Sequence, residues 1–151
     1  MKNKRFKEKI EKYLKRQFGV TIDSASKRQV YEALMSTIRE DLSEKKFAYE
    51  QELKKTRQKR AYYMSMEFLV GRTLRNNLFN LDLEKDVREY FADNGISLDE
   101  IYDIEPDPGL GNGGLGRLAS CYLDALTSSD YPVTGFSILY EYGIFKQVIN
   151  N

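Results

Sequence analysis

Five glycines fall within eight positions of the segment Asp107-Pro108-Gly109-Leu110-Gly111-Asn112-Gly113-Gly114-Leu115-Gly116-Arg117-Leu118. A run without β-carbons lets the backbone come close to a ligand. Leu118, Ala119, Tyr122, Leu123 and Leu126 follow at a spacing that predicts an amphipathic helix from Leu115. The first turn of such a helix holds N–H groups without intrahelical acceptors and the positive end of the dipole, so the chemistry on offer is recognition of a phosphate or another anion. One glycine there would indicate only a tight turn with close helix packing; five favour anion binding. The backbone amides from Asn112 to Leu115 are expected to converge on the oxyanion.

Two familiar phosphate loops fit poorly. Gly109-x-Gly111-x-x-Gly114 and Gly111-x-Gly113-x-x-Gly116 have the dinucleotide-binding spacing, but that fingerprint follows a buried strand. Here the lead-in, Tyr102 to Pro108, is acidic and interrupted by Pro106 and Pro108. Gly111-x-x-x-x-Gly116 continues as Arg117-Leu118 where a P-loop needs Lys and a hydroxyl for magnesium, which argues against nucleotide hydrolysis. The chain has no histidine, which removes His-based triads, His metal sites and imidazole proton transfer; no metal ligand set is predicted.

Several elements must position the loop. Phe6, Ile10, Leu14 and Phe18 form one face of a first helix, stopped by Gly19. Asp23 or Ser24 is the expected cap of a second, with Val30, Leu34, Ile38 and Leu42 as its buried stripe; it continues to about Thr56 with a break near Ser43. Ala61 to Met66 reads as a buried strand. Helices follow around Leu74–Phe79 and Leu83–Phe91, and Ser97 with Glu100 has capping-box spacing for a short one. Val133–Leu139 and Tyr142–Ile149 are further strand candidates. The order indicates an α/β protein with an incomplete sheet.

Composition sets outer bounds. With 41% hydrophobic and 31% charged residues the sequence is that of a globular protein, and no apolar run approaches the roughly 20 residues of a membrane span. A single cysteine, Cys121, makes a reducing cytoplasm the expected compartment. Residues 1–60 carry 18 Lys/Arg against 9 Asp/Glu, whereas 61–151 carry 6 against 14. The basic residues are spread along helical patterns with little aromatic interleaving, so solvated helix faces are expected rather than nucleic-acid binding.

Gly109 to Ala119 closely resembles the GLGNGGLGRLA signature of the α-glucan (glycogen/maltodextrin) phosphorylases. Tyr62-Tyr63-Met64-Ser65-Met66-Glu67-Phe68-Leu69-Val70-Gly71-Arg72 is similar to the family's YYLSMEFLxGR block, and Tyr140 to Gln147 to its YEYGIFxQ block. Gly135-Phe136-Ser137-Ile138-Leu139-Tyr140 departs from the usual GYGIRY at three positions, losing a glycine at Ser137 and an arginine at Leu139. The resemblance implies the N-terminal portion of a GT-B (Rossmann-like) glycosyltransferase: a helical extension over 1–60, then the start of the N-terminal GT-B domain over 61–151. It implies phosphorolysis of terminal α-1,4-linked glucose by inorganic phosphate, releasing glucose 1-phosphate, with pyridoxal 5'-phosphate as cofactor.

The family's cofactor lysine and cationic phosphate ligands lie further along its sequence, so neither is assigned here, nor is any catalytic residue. Carried over by position, Gly113 and Gly114 face the substrate phosphate, while Asn112 and Leu115 belong to the glucose pocket. Glu67 is either an active-site neighbour or the partner of a local ion pair. Arg117 either orients the loop or meets an anion. The partners implied are an α-1,4-glucan and phosphate, with a homodimer as the family's habit. The competing expectation is a truncated remnant without catalysis that serves as a binding module. On either reading the 151 residues alone are expected to be inactive.

Overall fold

The computed structural model describes residues 2–143, with side-chain burial from Arg5 onward. In chain order the elements are α1 (Lys2–Phe18), a 3-10 turn (Ile22–Ser24), α2 (Lys27–Thr56), β1 (Ala61–Met64), α3 (Leu74–Asn80), α4 (Glu84–Asp93), α5 (Leu98–Tyr102), α6 (Gly113–Ser128) and β2 (Val133–Phe136). They form two compact units, Met1–Phe47 with Arg72–Pro106, and Ala48–Gly71 with Asp107–Asn151. The described residues are mostly helical with a small two-stranded parallel sheet. The third strand candidate, Tyr142–Ile149, lies outside the described residues beyond Gly143.

The first unit is a helical core. Phe6, Ile10 and Leu14 of α1 are buried with Val30, Leu34 and Ile38 of α2, and Leu74, Leu78, Val87, Phe91, Leu98 and Ile101 belong to the same cluster. Each large aliphatic or aromatic side chain removed from water here contributes roughly 1.5–3 kcal/mol. Gly19 ends α1 as expected, in a left-handed conformation (φ +68°) with its N–H donating to the Lys15 carbonyl at 3.1 Å. Tyr90 of α4 donates its hydroxyl to Glu11 of α1 at 2.8 Å, and Lys7 lies 5.0 Å from the Tyr90 ring centre.

Four local expectations are corrected. The cap of α2 is neither Asp23 nor Ser24, which sit in the 3-10 turn. Ser26 instead accepts from the Gln29 N–H at 3.3 Å, and Gln29 Oε1 accepts from the Ser26 N–H at 2.8 Å, a reciprocal capping box. No break occurs at Ser43: α2 runs for 30 residues, since Asp41 to Lys46 holds no proline or glycine, and Lys9–Asp41 (2.6 Å) and Arg5–Glu44 (3.3 Å) pair that stretch with α1. Leu42 falls at the margin of the buried stripe and is exposed. Ser97 caps α5 by backbone conformation without a side-chain bond, and Glu100 is paired with Lys27 at 2.9 Å, so the expected capping box does not form.

Thr73 opens α3 without a side-chain cap of its own. The buried carboxylate of Glu105 caps it from 31 to 32 residues away. It accepts from the Thr73 N–H at 2.7 Å, the Thr73 hydroxyl at 3.1 Å and the Leu74 N–H at 3.0 Å. A carboxylate at a helix N-terminus is favoured by the dipole as well as by the bonds.

In the second unit β1 and β2 pair in parallel, with Ala61 opposite Val133 and Met64 opposite Phe136. The expected buried strand is corrected: it is shorter, Ala61–Met64, and largely exposed. Its period of two turns Tyr63 inward against Phe68 and Tyr122, whereas Tyr62 (61% exposed) and Met64 (82%) face outward. Among the described residues no helix is long and apolar enough to cross a membrane.

Glu105→Ala should lower the unfolding free energy by about 3 kcal/mol in urea denaturation, since the amides of Thr73 and Leu74 lose an ionised acceptor. A second outcome concerns alkaline pH. Burial, then the Glu84 charge and the hydrogen bond to it, push the Tyr102 phenol up to about 12; burial and the Glu11 bond also raise Tyr90. Unfolded tyrosines ionise near about 10. The fold therefore favours the neutral phenols, and the stability they give is complete below about pH 10 and lost as pH rises through about 12 for Tyr102 and at higher pH for Tyr90. Phenolate absorbance should show Tyr90 and Tyr102 as late components among the eleven tyrosines, absent from Tyr90→Phe/Tyr102→Phe.

Candidate functional site

After β1 the chain turns at Ser65, whose hydroxyl donates to the Glu67 carbonyl at 2.8 Å and accepts from the Glu67 N–H at 3.3 Å. This local bridge sends residues 67–69 alongside the glycine loop. The Phe68 N–H donates to the Leu110 carbonyl and the Leu69 N–H to the Gly116 carbonyl, both at 3.0 Å. Contact is close enough that a β-carbon on Gly111 would sit 2.8 Å from both the Leu69 nitrogen and the Phe68 carbonyl carbon. Gly111 is therefore a packing glycine.

Glu67 completes the clasp. Its Oε2 accepts from the Asn112 N–H at 2.8 Å and its Oε1 from the Gly116 N–H at 3.0 Å. Asn112 is the N-cap of α6 and makes no side-chain cap bond. A capping box usually draws its carboxylate from the third helical position. That position is Leu115, so the carboxylate arrives from Glu67 instead. Gly116 lacks a β-carbon where one would lie 3.1 Å from the Glu67 side chain.

The other glycines behave differently. Gly113 begins α6 at φ +67°, a conformation that costs residues with a β-carbon about 1–2 kcal/mol. A β-carbon added to Gly113 or Gly114 would meet nothing within 4 Å, and both residues are exposed. Among the described residues the N–H groups of Gly113, Gly114 and Leu115 have no protein acceptor. The expected set of amides from Asn112 to Leu115 thus narrows to three, because Glu67 engages the first. Leu115 is 77% exposed, so it is not part of the core that the described residues form.

A cleft of about 240 Å³ adjoins the loop, lined by Glu67, Gly109, Gly111 and Asn112 with Tyr140 and Tyr142. Asn112 and Glu67 share it; Gly113, Gly114 and Leu115 are not part of its lining. Tyr140 is fixed by its hydroxyl, which donates to the Met66 carbonyl at 2.7 Å, and Ser137 donates to the same carbonyl at 3.1 Å. Sequence reasoning gave neither tyrosine a role, although both belong to the third matched block. Arg117 is exposed and, among the described residues, holds neither the loop nor an acidic partner.

A larger groove, about 600 Å³, lies in the helical unit. Its basic side chains Arg5, Lys9, Lys12 and Arg16 alternate with Glu8 and Glu40, and Lys9 is tied to Glu40 and Asp41 at 3.1 and 2.6 Å. That is a charge-mixed helix face rather than a convergent site.

A family model described as carbohydrate phosphorylase matches residues 91–151. The chain is 43% identical over 131 residues to the glycogen phosphorylase of Chlamydia trachomatis serovar D, a match covering 87% of this chain and 16% of that protein. It is 44% identical over 127 residues to the glycogen phosphorylase of Synechocystis, covering 84% and 15%, and 42% identical over 127 residues to the human liver form, again 84% and 15%. The chain thus spans about one sixth of the length of the curated relatives it matches.

The two kinds of glycine separate by substitution. Gly111→Ala should cost about 2 kcal/mol or more by overpacking against backbone, whereas Gly114→Ala, in open space and in a helix, should change stability by less than about 1 kcal/mol. Thermal or urea unfolding of the two variants checks the contrast.

Proposed function

The chain belongs to the carbohydrate phosphorylase family, and on that premise we propose that the protein to which these residues contribute carries out phosphorolysis of terminal α-1,4-linked glucose of glycogen or maltodextrin, releasing glucose 1-phosphate. The observation that supports this most is the set of three adjacent amides, Gly113 to Leu115, which among the described residues have no protein acceptor at the N-terminus of a 16-residue helix. Donors fixed in this way stabilise developing phosphate charge without reorganising during the reaction. In this reading Gly113 and Gly114 take the substrate phosphate, Asn112 and Leu115 border the glucose, and Glu67 is a neighbour of the reacting groups. The fold is read as the start of a GT-B domain over 61–151 after a helical extension over 1–60, in a protein that pairs as a homodimer.

Pyridoxal phosphate is the cofactor proposed for the whole protein. The cleft beside the loop does not fit its attachment, since among the described residues its lining holds no lysine. What these residues supply is phosphate recognition and the shape of the sugar site; the 151 residues alone are read as inactive.

The complete protein, incubated with glycogen, inorganic phosphate and pyridoxal phosphate, should release glucose 1-phosphate; no product would remove the reading. Gly113→Ala in that protein strains the left-handed position and displaces one donor, so kcat/KM for phosphate should fall about a hundredfold.

A further inference from the structure

Resting on the phosphate reading above, we propose that Glu67 is the positioning residue of the glycine loop: its two carboxylate oxygens hold both ends of the first turn of α6 and so set the direction of the three amides between them. The arc from Gly113 to Leu115 has little else to fix it. Gly113 and Gly114 have open space where a β-carbon would be, and Leu115 is exposed. Asn112 makes no cap bond with its own side chain. Glu67, by contrast, is fixed at its backbone by the Ser65 bridge, and the neighbouring Phe68 and Leu69 amides are bonded to the loop carbonyls. Anchoring Asn112 from one oxygen and Gly116 from the other fixes the arc at both ends.

The chemistry required is specific. Two N–H donors must each meet an acceptor, which an ionised carboxylate provides and a side-chain amide does not, since glutamine offers one acceptor and one NH₂ donor. Reach matters as much: aspartate keeps the charge but, one methylene shorter, sets its oxygens back from the Asn112 and Gly116 amides. Charge and position are thereby separable by two small substitutions.

The test is amide-resolved NMR on the chain, with hydrogen exchange in the free state and titration with inorganic phosphate, for the wild type, Glu67→Gln and Glu67→Asp. In the wild type the Asn112 and Gly116 amides should be protected, and phosphate should shift Gly113, Gly114 and Leu115. Both variants should expose Asn112 or Gly116 to exchange and weaken the phosphate response at least roughly fivefold, with the amides of α1 and α4 unchanged. Tighter phosphate binding in Glu67→Gln with no change in Glu67→Asp would make the carboxylate a competing anion and overturn the proposal. So would full protection and an unchanged phosphate response in either variant. If wild-type loop amides ignore phosphate while both variants lose protection and order at Gly113–Leu115, the positioning role stands and the phosphate reading falls. Should Glu67→Gln fail to fold, Glu67→Asp carries the same two readouts.

Discussion

Much of the second unit depends on one clasp: residues 67–69 gripped by the loop from Leu110 to Gly116. It consists of two backbone bonds, Phe68 to Leu110 and Leu69 to Gly116, and the two carboxylate bonds from Glu67 to Asn112 and Gly116. Backbone can approach backbone this closely only where no β-carbon intervenes, and Gly111 supplies that gap. The consequence runs in both directions along the chain. Phe68, held in place, fills the space beside Gly135 and Leu123, with the Tyr63 ring 5.9 Å from its own. Thus the strand pair, the crossover helix and the loop share a single point of reference.

The same physical device appears in each unit. A helix N-terminus leaves several donors unpaired, and neither Thr73 nor Asn112 satisfies them with its own side chain. In both cases a carboxylate arrives from a distant segment, Glu105 at α3 and Glu67 at α6. The difference lies in what remains. Glu105 is buried, and it engages Thr73 N–H, Thr73 Oγ1 and Leu74 N–H together, which gives a purely structural joint. Glu67 bridges across its turn and, among the described residues, leaves the three N–H groups between its two contacts without a protein acceptor. A bridge of that kind orders a turn without occupying it.

Local periodicity was legible in the sequence, and distance was not. The stripe of α1 and its stop at Gly19 follow from spacing alone, as does a helix directly after the glycine loop. The cap at Ser26 was missed because Asp23 and Ser24 are equally good cap types a few residues earlier, and only the 3-10 turn between decides. The supposed break at Ser43 failed because a polar stretch lacks a buried stripe yet contains nothing that ends a helix. Strand burial was misread because apolar composition does not reveal what covers a strand; Tyr62 and Met64 look the same in sequence as Tyr63. As for Glu67, its partners lie 45 and 49 residues away, and nothing local distinguishes a carboxylate that bridges amides from one that pairs with a cation.

The glycine count itself needs to be divided. Gly111 and Gly116 are small because Phe68, Leu69 and Glu67 pass close by; Gly109 and Gly113 are glycines because their φ values, +63° and +67°, are left-handed; Gly114 meets neither condition. Tight packing, taken alone, accounts for the first pair. Turn geometry accounts for the second. Gly114 is then the informative residue, since a helix would gain stability from alanine at an open, right-handed position. A glycine that the described residues do not require leaves the backbone open to close approach from outside the chain, which is what the phosphate reading proposed above calls for at this turn.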